Sequence, residues 1–236
     1  MDKPRMIKIL EKFRGKKILV IGDVMLDKYI WGEVSRISPE APVQVVNVLR
    51  ETFEAGGAAN VASNVAALNG KALMAGITGD DEARKVLLGI MHDKSIDTEG
   101  IHIDKDKPTI QKVRIIGRSQ QLLRIDYEKK EHVHKEIEAS IIRFLEKTIK
   151  NVDVVVVSDY AKGALTPAIC SRLVEISKSN KKMVIVDPKP KHKDLYANVD
   201  LITPNNSEAS DMTGIEDVND ESALEKAMNE TICAVI

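Results

Sequence analysis

The chain has 236 residues, enough to bury a sizeable core in one large domain or two small ones. Its formal net charge of −1 excludes a general positive field that would attract nucleic acid, so any site for an anion must be local. No apolar run approaches the length of a membrane span, and the charged N-terminus lacks the apolar core of a signal peptide. Two scattered cysteines, Cys170 and Cys233, suit a reducing cytoplasm and are most simply explained as core residues.

The first 15 residues show the period of a short amphipathic helix that ends at Gly15. The apolar run at 17–22 predicts a buried strand that ends at a glycine. Asp23 and Asp27 follow directly, at the carboxyl end of that strand, which is where open α/β sheets bind ligands. Asp27 can therefore accept hydrogen bonds from ligand hydroxyls, or it can serve as a helix cap or an ordinary loop carboxylate.

The stretch Glu54-Ala-Gly-Gly-Ala-Ala-Asn60 opens a helix whose small and apolar residues recur at helical spacing. Gly56 and Gly57 remove two side chains where the backbone must come close to another group. Asn60 lies in the first turn, where its carboxamide can donate and accept hydrogen bonds near the free N–H groups of the helix. The stretch predicts a floor for a polyhydroxylated or phosphorylated small molecule. A tight turn before a packed helix is the alternative.

A first β segment at 28–50 interrupts the expected connection from strand to helix. It has no helical period, it is broken by Pro39 and Pro42, and it contains a strand at 43–48. The segment predicts a small β excursion from the main sheet.

A second β segment at 105–127 contains strands at 109–116 and 121–127 joined by a turn at Gly117. The two segments together predict a cover over the main sheet or a contact between two copies of the chain. Three basic residues concentrate on the second segment, where they can bind a phosphate or form a solvated strand face: Lys112, Arg114 and Arg124.

The rest of the chain alternates strands and helices. Apolar runs predict buried strands at 72–77, 153–157, 183–187, 199–203 and 232–236. Helices are predicted at 82–93, at 132–150, from Thr166 with Pro167 in its first turn, and at 220–230. This alternation predicts an α/β fold with a mainly parallel sheet, helices on both faces, and the polar residues that follow the strands along one edge.

Seven short motifs occur in order along the chain: Gly22-Asp-Val-Met-Leu-Asp27, Arg36-Ile-Ser-Pro-Glu-Ala-Pro42, Gly56-Gly-Ala-Ala-Asn-Val-Ala62, Gln120-Gln-Leu-Leu-Arg-Ile-Asp126, Asp159-Tyr-Ala-Lys-Gly163, Val186-Asp-Pro-Lys189 and Thr203-Pro-Asn-Asn-Ser-Glu208. Through them the chain resembles the ribokinase (PfkB) family of sugar kinases over essentially its whole length. Within that family it is similar to the kinase domain of the bacterial D-glycero-β-D-manno-heptose-7-phosphate kinases. The resemblance implies a single ribokinase-like (Rossmann-like) domain over 1–236, with β-lid segments at 28–50 and 105–127.

The implied activity is transfer of the ATP γ-phosphate to the anomeric hydroxyl of heptose 7-phosphate. This step belongs to the cytoplasmic synthesis of ADP-heptose for lipopolysaccharide. The family's sugar-binding positions match Asp27, Gly56, Gly57 and Asn60. The substrate's own phosphate requires basic residues near the sugar, and the candidates for contact with the substrate are Arg36, Lys112, Arg114, Arg124, Lys162 and Lys189, with Asp159 beside them.

The resemblance also implies sites for ATP and Mg²⁺ and a way of assembling. The family's Asn-x-x-Glu motif, which organises the metal and the nucleotide phosphates, matches Asn205, Asn206, Ser207 and Glu208, with Glu208 at the metal. In the family the lid covers the sugar and often forms a dimer interface, which implies a homodimer. No nucleic-acid or membrane partner is expected.

The family's catalytic base is an aspartate in a Gly-Ala-Gly-Asp motif, beyond the family position that Ile236 matches. We therefore expect a C-terminally incomplete kinase domain with little or no activity of its own, since the helix N-terminus at that motif stabilises the transferring phosphoryl group. Two alternatives stay open. One is a non-catalytic module that binds a sugar phosphate or dimerises, and the other is a PfkB kinase for a different sugar.

Overall fold

The computed structural model describes residues 3–215 and residue 222. The larger of two sheets contains β1 (Lys17–Gly22), β4 (Lys71–Thr78), β5 (Asp97–Ile103), β8 (Val154–Ser158), β9 (Met183–Asp187) and β10 (Leu201–Ile202). Its strand order is β10-β9-β8-β1-β4-β5, and every neighbouring pair is parallel. Parallel strands carry their carboxyl ends to one edge, so the polar residues that follow them meet there.

The smaller sheet, called the lid below, contains β2 (Val24–Ile37), β3 (Gln44–Gly57), β6 (Ile110–Gly117) and β7 (Gln120–Tyr127). Its order is β3-β2-β6-β7, with an antiparallel pair at each edge and a parallel pair in the centre. The β2–β3 pair extends well beyond the predicted segment 28–50, because the two strands stay paired from Val24 and Gly57 to the tip, with two register shifts on the way. The single residue Asp23 separates β1 from the lid.

Within residues 3–215, six α-helices accompany the sheets: α1 (Lys3–Glu11), α2 (Ala58–Ala67), α3 (Glu82–Asp93), α4 (Lys135–Thr148), α5 (Pro167–Ser179) and α6 (Asn206–Thr213). The predicted start of α5 is confirmed, since the Thr166 side chain accepts a hydrogen bond from the N–H of Ile169. Asp81 caps α3 in the same way. Among the described residues, no helix combines the length and the apolar character that a membrane span requires.

Helices cover both faces of the larger sheet, as predicted. Successive residues of β1 point to opposite faces, so Leu19 and Ile21 pack into one core while Val20 packs into the other. The first core includes residues of α4 and α5, among them Ile141, Leu145 and Leu173. The second includes residues of α2 and α3, among them Ala59 and Leu87. An apolar run buried on both faces is typical of a central parallel strand.

Two local predictions need correction. The strand β5 is missing from the sequence analysis because its residues are largely polar, and it lies at the edge of the sheet with β4 as its neighbour. The predicted turn at Gly117 is wrong, since Gly117 is the last residue of β6. Arg118 and Ser119 make the turn, with φ of 49° and 66°. Two positive φ values are typical of hairpin turns that usually contain Asn-Gly, so Arg-Ser carries no such signal.

Some predictions fall outside the described residues. These are the helix at 220–230, apart from residue 222, the strand at 232–236, and the environment of Cys233. Cys170 is buried, as predicted for a core residue. Burial raises the pKa of its thiol to about 12, so the thiol stays protonated at neutral pH.

The side chain of Asp23 has no solvent exposure and joins the loop between β8 and α5 to the start of the lid. Its Oδ2 accepts hydrogen bonds from the N–H groups of Tyr160 (2.9 Å) and Lys162 (3.0 Å), and its Oδ1 accepts one from Ala164 (3.1 Å). Its carbonyl oxygen accepts the N–H of Ala58, the first residue of α2, at 3.0 Å. Burial raises the pKa of the Asp23 carboxyl, and the three N–H donors act against that rise.

The substitution Asp23→Asn should lower the free energy of unfolding by about 2–4 kcal/mol, because an amide offers one acceptor oxygen to three buried donors. Urea denaturation followed by circular dichroism measures this loss. A matched control is Asp153→Asn, which alters a partly exposed carboxylate that accepts one backbone hydrogen bond, from the N–H of Lys17. The control should lose much less stability, and equal losses in the two variants would contradict a special role for Asp23.

Candidate functional site

Gly56 and Gly57 are the last two residues of β3, and α2 begins directly after them at Ala58. A Cβ atom on Gly56 would lie 2.9 Å from Cγ of Asp27, and one on Gly57 would lie 2.5 Å from the carbonyl oxygen of Asp23. Gly57 also has a φ of 55°, in the left-handed region that favours glycine. A side chain at either position would therefore displace β2, and with it Asp27.

The N-terminus of α2 lies at the end of this glycine pair. The N–H of Ala58 donates to the carbonyl oxygen of Asp23, but Gly57 offers no side chain to cap the N–H groups that follow in the first turn. Ala58 and Ala59 are buried in this turn, whereas Asn60 is exposed. The carboxamide of Asn60 is thus the first side chain of α2 that a ligand can contact, and the positive end of the helix dipole adds to the attraction for an anion.

Asp27 lies within β2 and pairs with Arg114 of β6 across the centre of the lid. Asp27 Oδ1 and Arg114 Nη1 are 2.5 Å apart, and the two side chains are only 18% and 22% exposed. The guanidinium also lies over the ring of Tyr29, 5.2 Å from its centroid. Burial opposes the charge on Arg114, but the hydrogen bond to Asp27 and its negative charge raise the pKa of Arg114 overall. The pair is a fixed, half-buried charge pair.

Arg124 lies directly opposite Arg114 in the β6–β7 pair, and Asp126 lies opposite Lys112. Arg124 binds Asp126 through two hydrogen bonds, Nε to Oδ1 at 2.8 Å and Nη2 to Oδ2 at 3.0 Å. This pairing lowers the pKa of the Asp126 carboxyl. The strand registers place six residues on one surface, called the site face of the lid below: Asp27, Tyr29, Lys112, Arg114, Arg124 and Asp126.

Two lysines connect the site face to the loop between β8 and α5. The ammonium of Lys112 lies 5.7 Å from the centroid of the Tyr160 ring. Lys162 Nζ pairs with Oε2 of Glu128 at 2.5 Å, and both side chains are 14% exposed. Burial opposes the charge on Glu128, but its basic neighbours lower the pKa of its carboxyl overall. The structure therefore brings the predicted residues Lys112 and Lys162 to the same side of the lid.

Asp159 lies in a buried network with two aromatic side chains. Its Oδ1 accepts the N–H of Ala161 at 2.6 Å, and its Oδ2 is 2.7 Å from the hydroxyl of Tyr196 and 2.6 Å from Nδ1 of His192. The Asp159 side chain has no exposed surface. Both carboxylate oxygens are thus already occupied, so Asp159 is placed to hold the loop between β8 and α5 against the residues after β9.

Asn205 and Glu208 form a capping box at the start of α6. The Asn205 side chain accepts the N–H of Glu208 at 2.9 Å, and the Glu208 side chain accepts the N–H of Asn205 at 3.1 Å. The other oxygen of Glu208 pairs with Lys189 Nζ at 2.5 Å. The hydrogen bond to Glu208 raises the pKa of Lys189. The motif therefore has a structural role at the helix start in addition to any contact with a ligand.

Asp187 at the end of β9 lies close enough to Glu208 for their charges to repel. Burial raises the pKa of the Asp187 carboxyl, and the charge of Glu208 raises it further. Asn206 and Ser207 are exposed in the first turn of α6. Two neighbouring carboxylates and a lysine at the carboxyl edge of the sheet fit a hard cation and the phosphate groups that it accompanies.

Arg36 lies apart from these residues. It is exposed near the tip of β2, opposite Val45, and about 30 Å along the strand from Asp27. Sequence reasoning also misses two carboxylates that hold the basic residues. Asp126 shares the strand face of Arg124, which the two-residue period of β7 could have shown. Glu128 gives no local signal, because its partner Lys162 lies far along the chain.

The sequence of the chain is similar to those of proteins in a known family. The model of the family described as "pfkB family carbohydrate kinase" matches residues 15–236. The bifunctional protein HldE of Wolinella succinogenes is 46% identical over 220 residues, which cover 93% of this chain and 46% of that protein. HldE of Trichlorobacter lovleyi is 38% identical over 235 residues, covering 100% of this chain and 48% of that protein. The chain spans about half the length of the curated relatives it matches.

Solved structures agree on the fold. A ribokinase of Arabidopsis thaliana, complexed with ribose and ATP, has a TM-score of 0.66 at 18% identity, over 92% of this chain and 68% of that one. A carbohydrate kinase from Agrobacterium tumefaciens has a TM-score of 0.67 at 19% identity, over 90% of this chain and 67% of that one. These likenesses confirm the predicted ribokinase-like α/β fold. The family match and the HldE relatives show that the chain belongs to the pfkB family of carbohydrate kinases and is homologous to the kinase half of HldE.

Proposed function

We propose that the chain binds D-glycero-β-D-manno-heptose 7-phosphate beneath the lid, as part of an enzyme that phosphorylates the anomeric hydroxyl with ATP. The observation that carries this proposal is the site face of the lid, where Asp27 lies against Gly56 and pairs with Arg114, the first of two opposed arginines. Asp27 and Asn60 suit the sugar hydroxyls, since they offer acceptors and donors. The identity to HldE supports heptose over other sugars of the family.

The opposed arginines support a substrate that carries its own phosphate. Like charges directly opposite each other destabilise a β-sheet pair, and here the carboxylates of Asp27 and Asp126 offset that cost. A phosphate can receive paired N–H donors from both guanidinium groups. In the proposal Arg114 and Arg124 bind the 7-phosphate, and Lys112 and Lys162 add positive charge at the edge of the loop.

For the second substrate we propose ATP with Mg²⁺, the pair that kinases of this family generally use. Asp187 and Glu208 would hold the cation and Lys189 would contact the nucleotide phosphates. When bound, the cation neutralises charge that develops on the transferred phosphoryl group. Asp159 and Asp23 position the loop that carries Lys162, and neither contacts a substrate. An ATP-dependent step suits the cytoplasmic location that the sequence predicts.

A titration of the chain with heptose 7-phosphate, fructose 6-phosphate and ribose tests the proposal. Trp31 is the single tryptophan of the chain and stacks on Tyr29, with 6.2 Å between the ring centroids. Its fluorescence therefore reports ligands that bind at the lid, and calorimetry gives a second measurement. We expect selective binding of heptose 7-phosphate. Equal binding of fructose 6-phosphate would favour a kinase for another sugar, and no binding by the folded chain would overturn the site. Magnesium-dependent turnover of ATP would contradict a purely non-catalytic module.

The substitution Arg124→Ala should weaken the binding of heptose 7-phosphate about 10–100-fold, because one charged hydrogen-bonding partner of the phosphate is lost. Binding of the same sugar without its 7-phosphate should change little. The control is Arg118→Ala, which removes a lid arginine that donates to the carbonyl oxygen of Val34 at the turn. Fluorescence titration of both variants with both sugars checks this, and equal loss for the two sugars would show that Arg124 does not bind the phosphate.

The substitution Asp27→Ala should cost about 2–4 kcal/mol of sugar-phosphate binding, because sugar hydroxyls lose their charged acceptor. Calorimetric titration gives the loss directly. The control is Glu51→Ala, which alters a lid carboxylate that pairs with Lys28 on the opposite face at 2.9 Å. Unchanged binding in Asp27→Ala, or the same loss in both variants, would remove Asp27 from the site.

We also propose that the opposite face of the lid forms a homodimer interface, since Phe53, Leu123 and Ile125 are 37%, 54% and 38% exposed there. The substitution Leu123→Glu should shift the sedimentation coefficient from that of a dimer to that of a monomer. The control Leu10→Glu introduces the same charge on α1, at a leucine that is 48% exposed. A monomeric wild-type chain, or a dimer that survives Leu123→Glu, would contradict this interface.

A further inference from the structure

Three possible metal ligands cluster where the second hairpin of the lid joins the part of the chain that forms the larger sheet. Asp104, Asp106 and His134 each offer one ligand atom, and these atoms all lie within 4.8 Å of one another. Asp106 Oδ2 and His134 Nε2 are 2.9 Å apart, on side chains that are 70% and 61% exposed. The cluster is thus open to solvent on one side and bounded by Asp104 on the other.

Asp104 differs from the ordinary acidic residue of a surface cluster because it is only 1% exposed. Its Oδ1 accepts the N–H of Asp106 at 3.1 Å. Its Oδ2 is buried and has no hydrogen-bond partner among the described residues. A buried carboxylate oxygen without a partner is costly, and buried polar groups in proteins are nearly always satisfied by a bond to the chain, water or an ion.

Nearby lysines do not satisfy this oxygen. Lys107 is buried and lies close enough to Asp104 for their charges to attract, but its ammonium donates a hydrogen bond to the carbonyl oxygen of Glu131. The charge of Lys129 is also attracted by Asp104 and Asp106, but its ammonium pairs with the Glu131 side chain at 3.0 Å. The two lysines oppose a cation at the cluster, so they reduce its affinity without filling the place beside Oδ2.

The donor set selects a class of metal ion. Two carboxylates and one imidazole suit Zn²⁺ and similar transition-metal ions better than Mg²⁺ or Ca²⁺, which prefer oxygen ligands alone. A tetrahedral ion with bonds of about 2.1 Å holds its ligand atoms about 3.4 Å apart. The Asp106–His134 contact need open only slightly to reach this spacing, and the exposed side leaves room for a water as fourth ligand.

The cluster connects the two ends of the second lid hairpin. Asp104 and Asp106 lie in the segment that leads from β5 into β6, and His134 immediately precedes α4, in the segment that leaves β7. We propose that Asp104, Asp106 and His134 bind a Zn²⁺-type divalent cation that joins these two segments at the base of the lid. The site is separate from the Asp187 and Glu208 carboxylates, which lie at the end of β9 and in α6.

Calorimetric titration of the purified chain with ZnCl₂, after treatment with a chelator and in an excess of MgCl₂, tests the proposal. We expect one saturable site in the wild-type chain. Asp104→Asn and His134→Ala should each weaken it at least about 10–100-fold, the loss typical of weaker perturbations around metal ligands. His134 caps α4 without a side-chain hydrogen bond, so its removal leaves the helix start intact.

The matched control is His92→Ala, because His92 also lies beside an aspartate, Asp93, on an exposed surface, with Nδ1 and Oδ1 3.8 Å apart. It should keep the site. A site that is absent in the wild type, that survives in both cluster variants, or that is lost in His92→Ala would overturn the proposal. Hydrogen exchange should also show that ZnCl₂ protects the amides of 104–109 and 128–134 in the wild type and in His92→Ala but not in the two cluster variants. A lack of protection in the wild type would overturn the connection between the segments.

Discussion

The buried carboxylate of Asp23 holds the parts of the candidate site in one arrangement. Its two oxygens accept three backbone hydrogen bonds from the loop between β8 and α5, and its carbonyl oxygen accepts the first N–H of α2. Because Asp23 is also the single residue between β1 and the lid, the glycine pair, the lid and the basic loop share this anchor. A buried carboxylate is stable only where such donors are complete. Gly57 packs against the carbonyl oxygen of the same residue, where a Cβ atom would lie only 2.5 Å away.

Around this anchor, four basic residues of the site already have carboxylate partners. Arg114 pairs with Asp27, Arg124 with Asp126, Lys162 with Glu128, and Lys189 with Glu208. These pairs hold long side chains in fixed positions before any ligand binds, which lowers the entropic cost of binding. A phosphate must then compete with a carboxylate for each cation.

The sequence predicts the central strands well and the polar contacts poorly. Strands such as β1 and β8 are apolar runs because both faces are buried, and this signal is local. The edge strand β5 and the Arg118-Ser119 turn carry no such signal. Residue type at a strand end drew attention to Asp23 and Asp159, but it did not distinguish a ligand contact from a buried network. That distinction depends on backbone N–H donors and on His192 and Tyr196, which lie far along the chain.

The most direct test of the proposed site is a crystal structure of the chain with D-glycero-β-D-manno-heptose 7-phosphate. Our account predicts the 7-phosphate between Arg114 and Arg124 and the sugar hydroxyls against Asp27 and Asn60, with the Arg114–Asp27 contact loosened. A sugar phosphate bound elsewhere, or bound with its phosphate at Lys189 and its sugar away from the glycine pair, would contradict the account.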